Sequence, residues 1–396
     1  MAVPKLRFKE FDGDWTLSEL DDHIHESKAS SKIQDEYEVL TSSRRGLIRQ
    51  ADYFENSRLT DRENIGFNII EPDQITYRSR SDDGFFFFNL NGLGITGIIS
   101  TYYPVFTMKK GNNWFLNELL NYHKYKYIQY AVGTSQLVLS LNQLRKIKFN
   151  IPCLDEQTKI ASFFSAVDEK ISQLTQKYEL LSQYKQGMMQ KLFSQQIRFK
   201  ADDGSEFGEW EETVFERIGA FLKGKGISKA DIVADGEIPC IRYGELYTHY
   251  GEIISEVISS TNIDRESLIL SKANDVLIPA SGETQIDIAT ASCVLLDDIA
   301  LSGDLNIFRT KENGIFLSYL IRSKLKMQIA QLAQGNSVVH LYSSQLKGVQ
   351  LSLPCLEEQT KIANFLSAID QKIEVVTQQI EQAKQWKKGL LQQMFV

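Results

Sequence analysis

Cysteine, adjacent prolines and excess positive charge are all scarce in this chain, and each scarcity excludes a class of function. The four cysteines, Cys153, Cys240, Cys293 and Cys355, show no C-x-x-C spacing. That argues against a zinc site or a disulfide framework and for a reducing, cytoplasmic setting. None of the seven prolines neighbours another. An Asn/Asp-Pro-Pro-Tyr/Phe motif of the adenine methyltransferase kind is therefore missing. No Gly-x-x-x-x-Gly-Lys-Ser/Thr phosphate loop is present, and Lys223-Gly224-Lys225-Gly226 fits neither its spacing nor its context. No apolar run approaches the roughly 20 residues needed to span a membrane, and Met1–Lys5 is not the start of a signal peptide. The net charge is −7, so a grip on DNA through phosphates alone is not expected. Any nucleic-acid contact must come from local patches, base reading or a partner.

What the chain does have is a repeat. Pro152-Cys153-Leu154-Asp155-Glu156-Gln157-Thr158-Lys159-Ile160-Ala161 returns, with one conservative change, as Pro354 to Ala363, and the 202-residue offset holds to the C-terminus. An internal repeat of this kind sets the architecture. Within it Ile160, Phe164, Val167, Ile171, Leu174, Tyr178 and Leu181 are spaced alternately by four and three. Ile362, Leu366, Ile369, Ile373 and Val376 hold the matching places in the second copy. This is the seam of a coiled coil. Each copy follows a proline and opens with acidic residues, where a helix dipole favours them. Some forty residues at about 1.5 Å each make a rod of roughly 60 Å. The partner nearest to hand is the other copy, packed antiparallel.

At 396 residues with 42% hydrophobic content, more than one domain is expected. The reading is α+β, with heads at 1–151 and 197–353 alternating with rods at 152–196 and 354–396. The second head carries 15 basic and 22 acidic side chains and holds the whole acidic excess. The heads begin alike, at Arg7-Phe8-Lys9 and Arg198-Phe199-Lys200, and end alike, where Gly133, Leu139, Gln143 and Leu144 match Gly335, Leu341, Gln345 and Leu346. Between these landmarks they share almost nothing. Short β-type runs are expected at Gly66–Ile70, Gly84–Phe88, Ile95–Ser100, Glu252–Ile258 and Asp275–Ile278, and helices near Asn113–Tyr130 and Gly314–Gln334.

Three motifs are decoys. Gly92-x-Gly94-x-x-Gly97 matches the dinucleotide fingerprint, but a strand-like run and not a helix follows it. His23-x-His25 has no third metal ligand nearby, so no metal site is expected. Asp168-Glu169-Lys170 looks like a nuclease triplet but sits on the rod, with a twin at Asp370-Gln371-Lys372. No catalytic residues are assigned.

The plan resembles the specificity subunit of type I restriction–modification enzymes, at the Glu156-Gln157 and Glu358-Gln359 rod starts and the Gly133 and Gly335 boundaries. The resemblance implies a non-catalytic chain that binds double-stranded DNA, with one target-recognition domain per half of a split sequence. It implies two methyltransferase subunits carrying S-adenosylmethionine, and restriction or motor subunits using ATP and Mg, with no cofactor in this chain. Candidate DNA contacts in the first head are Ser43, Arg44, Arg45, Arg49, Tyr77, Arg78 and Arg80. In the second they are Lys223, Lys225, Arg242, Tyr243, Ser281, Thr284 and Gln285. Arginine forks suit guanine edges and phosphates, and small polar side chains suit adenine or backbone contacts. Two alternatives remain at this point: the specificity chain of a type IIB-like system, and a coiled-coil adaptor with two protein-binding heads.

Overall fold

A computed structural model describes residues 3–53, 63–335 and 338–395. The chain forms two compact units, residues 1–175 with 378–396, and residues 176–377. Both rods are continuous helices, the first Leu154–Phe193 and the second Leu356–Met394. Each contributes one end to each unit.

In the first unit the rods meet antiparallel. Ile160 and Phe164 share a core with Met394 and Phe395, while Phe163 packs edge-on against Trp386 further along. In the second unit Leu192 and Phe193 share a core with Ile362, Leu366 and Ile369. Seam residues Ile160, Phe164, Val167, Leu174, Ile362, Leu366, Ile369 and Val376 are buried, and Ile171 and Ile373 are half-buried. The expected seam fails at Tyr178, which is exposed. Lys185 is drawn inward instead, where the apolar spacing breaks.

That inward lysine belongs to a pair the repeat duplicates. Lys185 Nζ lies 2.6 Å from Asp370 Oδ1, and Lys387 Nζ lies 2.6 Å from Asp168 Oδ1. The offset carries Lys185 onto Lys387 and Asp168 onto Asp370. An antiparallel pair of like helices must form such contacts twice. The second-unit copy is more enclosed: Tyr319 also donates its hydroxyl to Asp370, and burial raises the pKa of that carboxyl.

Both heads share a plan that their sequences hide. The strand after each tryptophan pairs antiparallel with the strand before each rod: Thr16–Glu19 with Lys148–Ile151, and Glu211–Val214 with Gln350–Leu353. A small ribbon closes each head, Arg80–Ser81 with Leu137–Val138 and Ser281–Gly282 with Val339–His340. The boundary glycines turn the chain back into these ribbons. Gly133 has φ +127 and Gly335 φ +131, and a Cβ would lie 2.2 Å from the Gln136 carbonyl or 2.0 Å from that of Val338. Only glycine fits there.

The first head holds two four-stranded sheets. One orders Ile24–Ser27, Val105–Met108, Ile75–Tyr77 and Phe88–Leu90. The other orders Gly46–Arg49, Glu38–Ser43, Gly97–Ile99 and Asn68–Ile70. The second head has a five-stranded and a four-stranded sheet. Head helices Asn113–Tyr122 and Gly314–Arg322 cover the cores, each capped by an asparagine, Asn112 and Asn313. The expected helices are shorter than read and continue as a 3-10 turn at Tyr127–Gln129 and a helix at Lys326–Leu332. The expected strand over Glu252–Ile258 shrinks to Ile253–Ile254, and that over Gly84–Phe88 begins only at Phe88.

The Glu-Gln pair at each rod start ties rod to head. Glu156 is buried and takes both Arg7 Nε and Arg7 Nη2 at 2.7 Å. Glu358 is buried and takes Arg198 Nε at 3.0 Å and Nη2 at 2.6 Å. The adjacent glutamines bridge in the other direction. Gln157 Nε2 donates to the Pro152 carbonyl while its Oε1 accepts from Asn112 N; Gln359 does the same with Pro354 and Asn313. Forked, charge-assisted bonds of this kind fix orientation as well as attraction.

Candidate nucleic-acid interface

The first head gathers its arginines in a cleft of about 890 Å³. The strand Glu38–Ser43 turns at Arg44-Arg45, where Gly46 takes φ +121, and returns as Gly46–Arg49. Asn89 Nδ2 donates to Ser42 Oγ at 2.7 Å and to the Ser43 carbonyl at 3.0 Å, which fixes that turn against the neighbouring sheet. Ser43, Arg44, Arg45, Arg78 and Arg80 all line the cleft. The Arg44 guanidinium bonds Asp83 and sits 5.3 Å from the Phe87 ring centre, and it holds the Asp83 carboxyl below its ordinary pKa. Arg80 stacks over Tyr102 at 4.1 Å. Arg45 and Arg78 have no acidic partner among the described residues, so their forks are open to a ligand.

Aromatic Phe85, Phe87 and Tyr103 also line the cleft, beside the acidic Asp52 and Asp82, and the expected contacts missed all of these. For the two phenylalanines the signal was present in the four-phenylalanine run Phe85–Phe88. A two-residue alternation buries Phe86 and Phe88 and leaves Phe85 and Phe87 facing the cleft.

Two of the expected contacts fall elsewhere. Tyr77 is wholly buried, its hydroxyl donating to the Leu139 carbonyl at 2.9 Å, so it is a core residue and not a DNA contact. It belongs to a central strand whose residues are all buried. Arg49 lies outside the cleft lining, paired with Glu38 across the hairpin.

In the second head Lys223, Lys225, Arg242 and Tyr243 line one cleft of about 880 Å³, joined by Lys229. The glycine loop lies flat on its neighbour: a Cβ on Gly224 would come 1.9 Å from the Ser302 carbonyl. Gly224 N donates to the Leu305 carbonyl at 3.1 Å and Lys225 N to that of Leu301 at 3.0 Å. The loop backbone is thus held while the Lys223, Lys225 and Lys229 side chains stay exposed. Arg242 is anchored by the buried Glu245, Nε to Oε1 at 3.1 Å. Acidic Asp231 and Asp304 share the lining.

Ser281, Thr284 and Gln285 do not join this cleft. Ser281 is buried, its hydroxyl 3.1 Å from His340 Nδ1. Thr284 caps the short helix Gln285–Ile288, accepting from Asp287 N, and Gln285 reaches the Ala333 carbonyl. Ser281 is thereby withdrawn into the head, while Thr284 and Gln285 are exposed on a surface apart from the lysine cleft.

Burial raises the pKa of the Cys240 thiol to about 11 and of the Cys293 thiol to about 12, so neither is a nucleophile near neutrality. Gly97, the last glycine of the apparent dinucleotide fingerprint, opens the strand Gly97–Ile99. Among the described residues no group of three or more His, Cys, Asp or Glu could hold a metal ion, and no helix is long and apolar enough to cross a membrane.

Comparison with known proteins agrees on one lineage. A family model described as the type I restriction modification DNA specificity domain matches residues 15–183 and again 208–385. The MjaVIII specificity subunit of a type I restriction enzyme from Methanocaldococcus jannaschii is 26% identical over 263 residues, covering 62% of this chain and 60% of its own length. A second relative from that organism is 28% identical over 288 residues, 70% of this chain and 66% of the relative. The chain thus spans less than two thirds of the length of either. Among solved structures, an S subunit of a type I restriction–modification system from M. genitalium matches with a TM-score of 0.60 at 16% identity, over 100% of this chain and 99% of its own. A chain solved for complex assembly and conformational transition of the type I R-M system gives 0.54 at 14%, over 96% and 97%. At such identities the structural likeness concerns the fold alone.

Proposed function

The chain belongs to the type I restriction modification DNA specificity family, and from that premise we propose that it reads a bipartite DNA target, one half-site per head. The reading includes two methyltransferase subunits carrying S-adenosylmethionine and restriction or motor subunits using ATP and Mg, all supplied by partners. The chain itself recognises and assembles, and it acts in the cytoplasm. The observation that supports this most is that two heads of one plan and divergent sequence each gather several basic side chains in one cleft, four arginine or lysine residues in either case at the least. Duplicated scaffold with unlike clefts is what reading two unlike half-sites requires. The adaptor alternative loses ground to the family match; the type IIB-like alternative differs only in its catalytic partner.

The test uses the complex purified from its host. Expected are salt-dependent retention on duplexes carrying the methylated motif, a co-purifying methyltransferase, and no methyl transfer by this chain alone with S-adenosylmethionine. Equal retention on duplexes with and without the motif, or methyl transfer by the isolated chain, contradicts the reading. A co-purifying chain that both cuts and methylates selects the type IIB-like alternative.

In this reading the rods set the unread spacer between the half-sites. Four residues inserted after Leu181 lengthen one helix by about 6 Å, close to two base pairs at about 3.4 Å each. The expected result is a methylated motif with a longer spacer and unchanged half-sites. An unchanged spacer with full activity contradicts the ruler role.

A further inference from the structure

One strongly charged surface in the first unit lies outside the arginine cleft. The end of the head helix, the loop after it and the last turns of the second rod enclose a groove of about 1060 Å³. Five lysines line it: Lys124, Lys126, Lys384, Lys387 and Lys388. Its one acid is Glu118, whose pKa burial raises. In a chain of net charge −7 this concentration is out of proportion.

Two of the lysines serve the fold. Lys387 binds Asp168, and Lys126 donates to the Lys148 carbonyl at 2.6 Å. The others do not. Lys384 meets only the exposed Glu381 on its own helix, and Lys124 and Lys388 have no acidic partner among the described residues. The repeat reinforces the distinction. Lys387 has its counterpart in Lys185, but the places of Lys384 and Lys388 are held in the first rod by Ser182 and Gln186. Charge needed for rod pairing, or for a partner that docks on both copies alike, would appear twice. This charge appears once.

The groove also adjoins the arginine cleft. Tyr125 lines the groove, Phe85 lines the cleft, and their rings meet edge to face at 5.4 Å between centres. This ring pair is where the two surfaces adjoin.

We propose that this groove holds the phosphate backbone of the duplex whose bases enter the arginine cleft. The contact is sequence-independent, and the inference rests on the DNA-reading function proposed above. Lysine suits the task, because a flexible point charge follows a phosphate without demanding a base. Lys124, Lys384 and Lys388 are the residues free to make it.

The experiment substitutes Lys124→Gln, Lys384→Gln and Lys388→Gln together in the assembled complex. Binding is measured by fluorescence anisotropy across a salt series, on duplexes with and without the methylated motif. Lys384 and Lys388 are exposed and Lys124 is half-buried, and a melting curve checks that the fold is kept. Affinity for both duplexes should fall by a similar factor, on the order of ten- to a hundredfold near physiological salt. The slope of log affinity against log salt should become shallower by about one unit per lost lysine contact, and the methylated motif should stay the same.

A parallel Arg45→Ala, Arg78→Ala variant should instead lose preference for the motif. If that variant behaves so while the lysine variant keeps the wild-type affinity and slope, the groove inference fails and the DNA-reading function stands. If the unmodified complex shows no motif preference, the function itself fails. A changed motif in the lysine variant would overturn the phosphate assignment. So would loss of a partner subunit with the salt slope intact, which would point to an acidic protein surface.

Discussion

Replacing Glu358 by alanine should destabilise the second unit by about 3 kcal/mol. The carboxylate is fully buried and takes two forked bonds from Arg198, whose side chain is 23% exposed. Its loss leaves a largely enclosed guanidinium with the Gly208 carbonyl, 2.6 Å away, as its remaining acceptor. Breaking a buried pair from one side costs about 3–5 kcal/mol, and water reaching the Arg198 edge places this case at the lower end. For a unit of this size, residues 176–377, that corresponds to a fall in Tm of roughly 6–12 °C. Glu156→Ala should act similarly on the first unit through Arg7. A double variant that also replaces Arg198 by leucine should recover much of the loss, because no orphaned charge remains. Calorimetry on the single and double variants checks this. A single-variant shift below about 2 °C would mean that the pair is solvent-screened and does not tie rod to head.

Those two glutamates mark the limit of what the sequence discloses. The repeat is legible because it is local and long. A seam of seven positions spaced by four and three identifies the helices, and like helices in one chain lead to an antiparallel pair. The purpose of the Glu-Gln motif is not legible in that way. Its acidic residue reads naturally as a helix-dipole partner, whereas its actual partners lie 149 and 160 residues away. Tyr77 shows the same limit. Beside Arg78 and Arg80 it looks like part of a basic surface, but it occupies a buried strand, and the neighbouring arginines reach the cleft without it. Ser281, Thr284 and Gln285 have the composition of a contact loop, yet the ribbon buries Ser281, Thr284 caps a short helix, and none of the three lines the lysine cleft. The strands of both heads are two to six residues long and pair across large sequence separations. Periodicity over so few residues does not fix their limits, as the shortened strand at Ile253–Ile254 illustrates.

The central claim is that the heads read independently, and the methylated motif tests it most directly. Residues 1–151 are replaced by the corresponding segment of a relative with a different target, keeping an arginine at the place of Arg7 so that Glu156 retains its partner. The chimaera is expressed with its methyltransferase, and the modified bases of the host genome are mapped by sequencing. One half-site should change completely, while the other half-site and the spacer remain as they were. A motif altered in both halves, or in neither, would contradict the account.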